Sequence, residues 1–181
     1  VAEVLLGDYN PAGRLPITIP RHEGQLPAYY SHKPSKELDY VDGTSRPLFP
    51  FGYGLSYTRF AYRRVWLEPD RVGGCGTVQV NVELENVGDR AGDEVVQVYV
   101  HDRVSSVARP VKELKAFRRV HLAPGERKVL TFELGPEALA FYGLEMERVV
   151  EPGWFDVMVG GNSETLISVP LEVTDSCHLG S

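Results

Sequence analysis

The chain has 181 residues, 43% of them hydrophobic and 24% charged, the proportions of an ordinary globular protein with room for one good domain and a remainder. Its formal net charge of −6 excludes a nucleic-acid surface, which needs a basic patch, and pairs such as Arg63-Arg64 and Arg118-Arg119 are too short to change that. No window approaches the roughly 18 consecutive apolar residues of a membrane-spanning helix, so neither nucleic acid nor membrane is expected as a partner.

The chain opens on Val1 in VAEVLLG, without a charged leader, and is expected to be a piece of a longer protein. Val1, Val4 and Leu5 fall on one helical stripe and Gly7 sits where a C-terminal cap belongs, which predicts the end of a helix. Asn10-Pro11-Ala12-Gly13 is a turn by composition. Residues 14–20, RLPITIP, alternate between prolines and predict a short edge strand. From Arg21 to Arg46 no period is sustained. Seven of the thirteen prolines fall at or before Pro50, with Tyr29, Tyr30 and Tyr40 interleaved. Such an arm cannot bury a core of its own and must lie on something.

Residues 47–58, PLFPFGYGLSYT, carry no charge and are too broken by Pro and Gly for a helix. Phe49, Phe51, Tyr53, Leu55 and Tyr57 recur at period two, which predicts one buried face on an extended strip. Gly52 and Gly54 would let neighbouring backbone approach closely. The stretch is read as the joint between two structural units.

Beyond it the pattern becomes that of a sheet. Val78, Val80, Val82 and Leu84 alternate with Gln79, Asn81, Glu83 and Glu85, and Val96, Val98 and Val100 share a face. Further strands are expected over residues 60–67, 111–122, 129–134, 139–144, 148–151, 154–159 and 166–173. Eight or nine short strands, with turn signals about every 10 to 15 residues, predict an all-β antiparallel sandwich of immunoglobulin or fibronectin type III kind. Trp154 or Phe155 is expected to fill the space between its sheets. Residues 175–181 are expected to be a disordered tail.

Chemistry is harder to find. Gly52-Tyr53-Gly54 completes no GxGxxG and no helix follows it, so nothing supports a nucleotide site. His22, His32, His101, His121 and His178 never reach metal-ligand spacing. Neither a metal nor any other cofactor is expected. Cys75 and Cys177 are too few and too far apart to suggest a disulfide framework or a CxxC site, and leave the redox compartment open. Ser56 lacks the GxSxG surroundings of a nucleophile. Asp89, Asp93 and Glu94 read as acidic residues of a solvated strand-to-strand turn, and residues 112–115 as solvent-side cross-strand charge pairs. Glu37, Asp39 and Asp42 stand apart, in the aromatic arm, with His32 beside Tyr29 and Tyr30.

Five segments, GDYNPAGRLPITIP, LPAYYSHKP, PLFPFGYGLSYTRF, VKELKAFRRVHLAPGE and EPGWFDVMVGG, resemble in sequence and order the C-terminal portion of glycoside hydrolase family 3. The likeness covers about residues 1–173 and points most to the β-glucosidases, with β-xylosidases close behind. It implies that residues 1–20 are the last helix and strand of an α/β sandwich domain, and residues 21–58 a connecting arm. Residues 59–173 would then be a fibronectin type III-like domain and 174–181 a tail. It also implies a retaining mechanism through an Asp nucleophile and a Glu acid/base on upstream domains. No segment here matches either motif, so no catalytic residue is assigned and the chain alone is expected to be inactive. Its expected partners are those upstream domains and, through the whole enzyme, a β-linked oligosaccharide.

Because aromatic faces and carboxylates are what pyranose rings engage, Tyr29, Tyr30, His32 and Asp42 are the candidates for touching sugar at the rim of a substrate entrance. The competing reading packs Tyr29 and Tyr30 on the upstream domain. An alternative for the whole chain is a free-standing fibronectin-type carbohydrate-binding or adhesion module.

Overall fold

The computed structural model describes residues 1–34 and 44–180. A short helix, α1 (Ala2–Leu6), opens the chain and is closed by Gly7 in the left-handed conformation, φ 84°, its N–H donating to the carbonyl of Val4. The cap foreseen at Gly7 is there because only glycine takes that φ without steric cost. Eleven strands follow among the described residues: β1 (Phe60–Glu68), β2 (Arg71–Val72), β3 (Val78–Asn86), β4 (Gly92–Asp102), β5 (Glu113–Leu122), β6 (Arg127–Leu134), β7 (Phe141–Tyr142), β8 (Arg148–Val150), β9 (Gly153–Gly160), β10 (Leu166–Val173) and β11 (Cys177–Leu179). A second helical turn, α2 (Pro136–Leu139), precedes β7.

The strands form a three-stranded sheet in the order β1-β3-β6 and a five-stranded sheet in the order β2-β10-β9-β4-β5. A small third sheet, β11-β8-β7, closes one end. All pairings are antiparallel except β2 beside β10. The alternation of β3 is realised as expected, with Val78, Val80, Val82 and Leu84 fully buried against Val96, Val98, Phe155, Val157 and Leu171 of the facing sheet. Truncating any of these to Ala removes on the order of 2–5 kcal/mol. Of the two candidate fillers it is Phe155 that is fully buried, while Trp154 is 48% exposed, since neighbours on a strand point to opposite faces.

The inward positions of β4 run Glu94, Val96, Val98, Val100, Asp102, with an acid at each end of a valine row. Each acid meets an arginine from outside the strands: Arg14 at 2.8 Å from Glu94 and Arg109 at 3.1 Å from Asp102. Arg109 is buried and also donates to the Leu139 carbonyl at 2.9 Å and to Glu113 at 2.7 Å. Burial nevertheless pushes the Asp102 carboxyl above its ordinary range, with Arg109 pulling the other way.

Three expectations are corrected. Residues 14–20 form no strand; a single bridge joins Ile19 to Phe49. Pro16 and Pro20 have no N–H to extend it. The strip at 47–58 does not bury one face, since Leu55 is 70% exposed and Phe49 and Tyr57 are also exposed. A turn at Gly52, φ 77°, breaks the extended run and with it the period of two. Finally, residues 177–179 are a strand rather than a disordered tail, because β11 pairs with β8 and Cys177 is disulfide-bonded to Cys75. Sequence separation misled here: the parallel pairing of β2 with β10 brings the two cysteines together across 102 residues.

Candidate functional site

The arm lies along the outward face of the five-stranded sheet, where Gln97 and Tyr99 of β4 point away from the valine row. Tyr30 stacks on Phe51, ring centroids 4.2 Å apart and 21° between planes, and meets Tyr99 edge-on at 5.8 Å. Its hydroxyl accepts the Leu114 N–H at 3.4 Å. Gln97, also buried, donates through Nε2 to the carbonyls of Gly161 at 2.7 Å and Gly52 at 3.3 Å, and accepts the Tyr99 hydroxyl at 2.5 Å. Burial, with Tyr30 nearby, raises the Tyr99 phenol well beyond its ordinary range. The Ser163 N–H reaches the Phe51 carbonyl at 2.9 Å, and Lys112 Nζ donates to the Ser163 carbonyl at 2.6 Å. Lys112 is therefore a strut under the arm as well as a surface charge.

Gly54 lets neighbouring backbone approach, as expected, whereas at Gly52 the close neighbour is a side chain. A Cβ on Gly52 would lie 2.2 Å from Gln97 Oε1, and one on Gly54 2.2 Å from the Gly13 carbonyl oxygen.

The second contact zone is polar. Arg14 Nη2 donates to Glu94 Oε2, and the Tyr62 hydroxyl donates to Glu94 Oε1 at 3.1 Å. Tyr62 belongs to β1 and Glu94 to β4, so this carboxylate ties both sheets to the segment of residues 1–20 that carries Arg14. Burial raises the Glu94 carboxyl above its ordinary value against the pull of Arg14, and burial beside Glu94 pushes the Tyr62 phenol far up. Glu94 is thus no solvated turn residue. Asn10 spans the same joint: Oδ1 accepts the Ser56 hydroxyl and the Tyr57 N–H, and Nδ2 donates to the Ala91 carbonyl at 2.9 Å. At the rim, burial would raise the Asp93 carboxyl, but hydrogen bonds from Arg119 and His121 outweigh it and hold it below its usual value.

The sugar-contact candidates separate. Tyr30 gives one ring face to Phe51. His32 is half-buried beside β5, its carbonyl accepting the Val111 N–H at 2.9 Å and its Nδ1 lying 3.0 Å from the Lys33 carbonyl. Tyr29 is 66% exposed and points away from this packing. Asp42, with Glu37 and Asp39, lies outside the described residues. Among the described residues there is no group of three or more His, Cys, Asp or Glu able to hold a metal, and no helix long and apolar enough to cross a membrane. Glu94, Asp93, Asp102 and Asp156 are each hydrogen-bonded to an arginine. Chemically, the arrangement joins an arm to a sandwich.

Residues 1–57 match the glycosyl hydrolase family 3 C-terminal domain, and residues 94–163 match a fibronectin type III-like domain. A periplasmic β-glucosidase of Salmonella typhimurium is 45% identical over 174 residues, covering 90% of this chain and 23% of that relative. A β-xylosidase of Formosa agariphila is 44% identical over 168 residues, with 91% and 23% covered. The chain belongs to glycoside hydrolase family 3. Among solved structures, a β-glucosidase from Erythrobacter marinus superposes with a TM-score of 0.92 at 44% identity, covering 96% of this chain and 23% of that one. A β-glucosidase of Listeria innocua, solved with glucose, gives 0.90 at 40% identity, with 96% and 26% covered. The chain thus spans about a quarter of the length of these relatives.

Within this family 3 chain the C-terminal-domain match ends beside Thr58, whose hydroxyl donates to the buried Asn86 at 2.6 Å, where the arm enters β1. The residues that sequence reasoning missed are Arg14, Glu94 and Gln97. Glu94 could have been found, because it shares the inward parity of Val96, Val98 and Val100. Arg14 and Gln97 carry no such signal, since their partners are 80 and 45 residues away in sequence.

Proposed function

We propose that this chain is the non-catalytic C-terminal portion of a β-glucosidase-like enzyme, whose whole form hydrolyses β-linked glucosides with retention through two carboxylates outside residues 1–181. The observation that carries this reading is the unbroken similarity to β-glucosidases through arm and sandwich alike, with only about a quarter of each relative covered. That continuity disfavours a free-standing adhesion or carbohydrate-binding module. In this reading residues 1–20 complete an α/β sandwich domain, 21–58 are the connecting arm and 59–173 the fibronectin type III-like domain, to which β11 (Cys177–Leu179) adds a last strand. The sandwich stabilises the rest of the enzyme through the arm. Leu5, Leu6, Ile17 and Leu26, exposed here, supply apolar surface for the upstream domains.

The rim of the substrate entrance is assigned to Tyr29, Tyr30, His32 and Asp42, with Tyr29 offering the freest ring face. In the whole enzyme, Tyr29→Ala and Asp42→Ala are expected to raise KM for an oligosaccharide several-fold while leaving kcat near its original value. Unchanged affinity in both variants removes the rim assignment. Residues 1–181 alone are expected to leave an aryl β-glucoside intact; turnover above a buffer blank overturns the non-catalytic reading.

A further inference from the structure

We propose that this protein matures in an oxidising compartment, where the Cys75–Cys177 disulfide is made as the latch that fixes the terminal strand β11. Cys75 lies at the surface in the loop after β2, whereas Cys177 is 3% exposed and belongs to the hydrophobic core. The two backbones are already held together without the sulfurs. The Glu172 N–H donates to the Asp70 carbonyl and the Thr174 N–H to the Val72 carbonyl, both at 3.0 Å. The Gly74 N–H donates to Asp175 Oδ1 at 2.8 Å. A Cβ on Gly74 would sit 2.4 Å from the Asp175 carbonyl oxygen, so glycine is what lets the loop close onto the tail. With Cα atoms 5.2 Å apart the pair falls in the range that disulfides require. The covalent ring encloses β3 to β10 and leaves the arm outside it.

Oxidation follows from this placement. The accessible Cys75 thiolate attacks one sulfur of a disulfide-carrying oxidant, forming a mixed disulfide and releasing one thiol. The Cys177 thiolate then attacks the Cys75 sulfur, closing the protein disulfide and releasing the oxidant's second thiol. Two protons and two electrons pass from the cysteines to the oxidant. Because Cys75 is reachable from solvent, a reducing cytosol would keep both thiols free; the bond persists only where the surroundings are oxidising.

The test is thiol trapping of the full-length protein in its own cells. A membrane-permeant alkylating agent is added before lysis, followed by reduction, a second label and peptide mapping. The expected result is that Cys75 and Cys177 escape the first label and are recovered as one cross-linked peptide. First label on both cysteines of the folded protein overturns the proposal. The latch itself is checked by Cys75→Ser/Cys177→Ser, expected to lower Tm by about 10 °C and to expose residues 174–180 to protease. If that variant does not accumulate, reducing the purified wild-type protein with a phosphine gives the same comparison. A Tm and a cleavage pattern that do not move overturn the latch. Neither readout involves glycoside turnover, so its outcome is independent of the enzymatic reading.

Discussion

Arg14→Met is expected to destabilise the protein by about 3–5 kcal/mol at neutral pH, several times what loss of an exposed ion pair would cost. The Arg14 and Glu94 side chains are 12% and 7% exposed. Removing the guanidinium leaves a buried carboxylate whose remaining side-chain partner is the Tyr62 hydroxyl. The pH dependence has a definite sign. Burial already raises the folded-state Glu94 pKa above its unfolded value, so protonation favours the native state. That favourable contribution is fully present below the unfolded value and is lost as pH rises through the folded one. Taking Arg14 away raises the folded value further. The deficit of the variant is therefore largest at neutral pH and shrinks as pH falls toward that raised pKa. Urea unfolding at two pH values measures this. Arg14→Met/Glu94→Leu should recover most of the loss, since a buried pair replaced by apolar groups is often neutral. A deficit below about 1 kcal/mol that ignores pH would make the pair an ordinary surface contact.

The contrast between what was legible and what was not follows from the range of the interactions. β3 and β6 read clearly because the two strands pair with each other along their length and one face of each is buried, so period two is written directly into Val78, Val80, Val82, Leu84, Leu130, Phe132 and Leu134. Families of such strands fix the sandwich, and the shared motifs placed the chain in its family. The arm was legible in composition but not in conformation. Its order comes from single hydrogen bonds to distant backbone, such as the Leu15 N–H to the Tyr53 carbonyl at 2.8 Å, which leave no period behind. β2 and β11, of two and three residues, are too short for alternation to show; they exist because neighbouring strands and the disulfide hold them. At the candidate rim, Tyr30 was rightly expected to lie on something, but its partner is Phe51 and Tyr99 of the same chain. Glu94 misread for a related reason: local composition places it in an acidic turn, and only its register relative to Val96 sends it inward.

A second large effect is expected from Gly54→Ala, about 2–3 kcal/mol, in the upper range for adding a methyl where none fits. The new Cβ would lie 2.2 Å from the Gly13 carbonyl oxygen and 2.6 Å from Arg14 Nη1. Neither neighbour yields cheaply. The Gly13 carbonyl accepts Arg14 Nη1 at 3.1 Å, the Ala12 carbonyl accepts the same nitrogen at 3.2 Å, and the other guanidinium nitrogen holds Glu94. Strain at Gly54 thus passes straight into the buried ion pair. Gly54→Ala and Arg14→Met should therefore combine to less than their sum, as substitutions that disrupt one contact do. Gly13→Ala is the matched control, since a Cβ there meets nothing within 4 Å, and its effect should stay within about 0.5 kcal/mol. The site of damage is as diagnostic as its size. Proteolysis of the Gly54→Ala variant should begin in the arm, while amide exchange at Val80 and Val82, in the middle of β3, stays as slow as in the parent protein. Equal behaviour of Gly54→Ala and Gly13→Ala would mean that the arm does not need its close approach at Gly54.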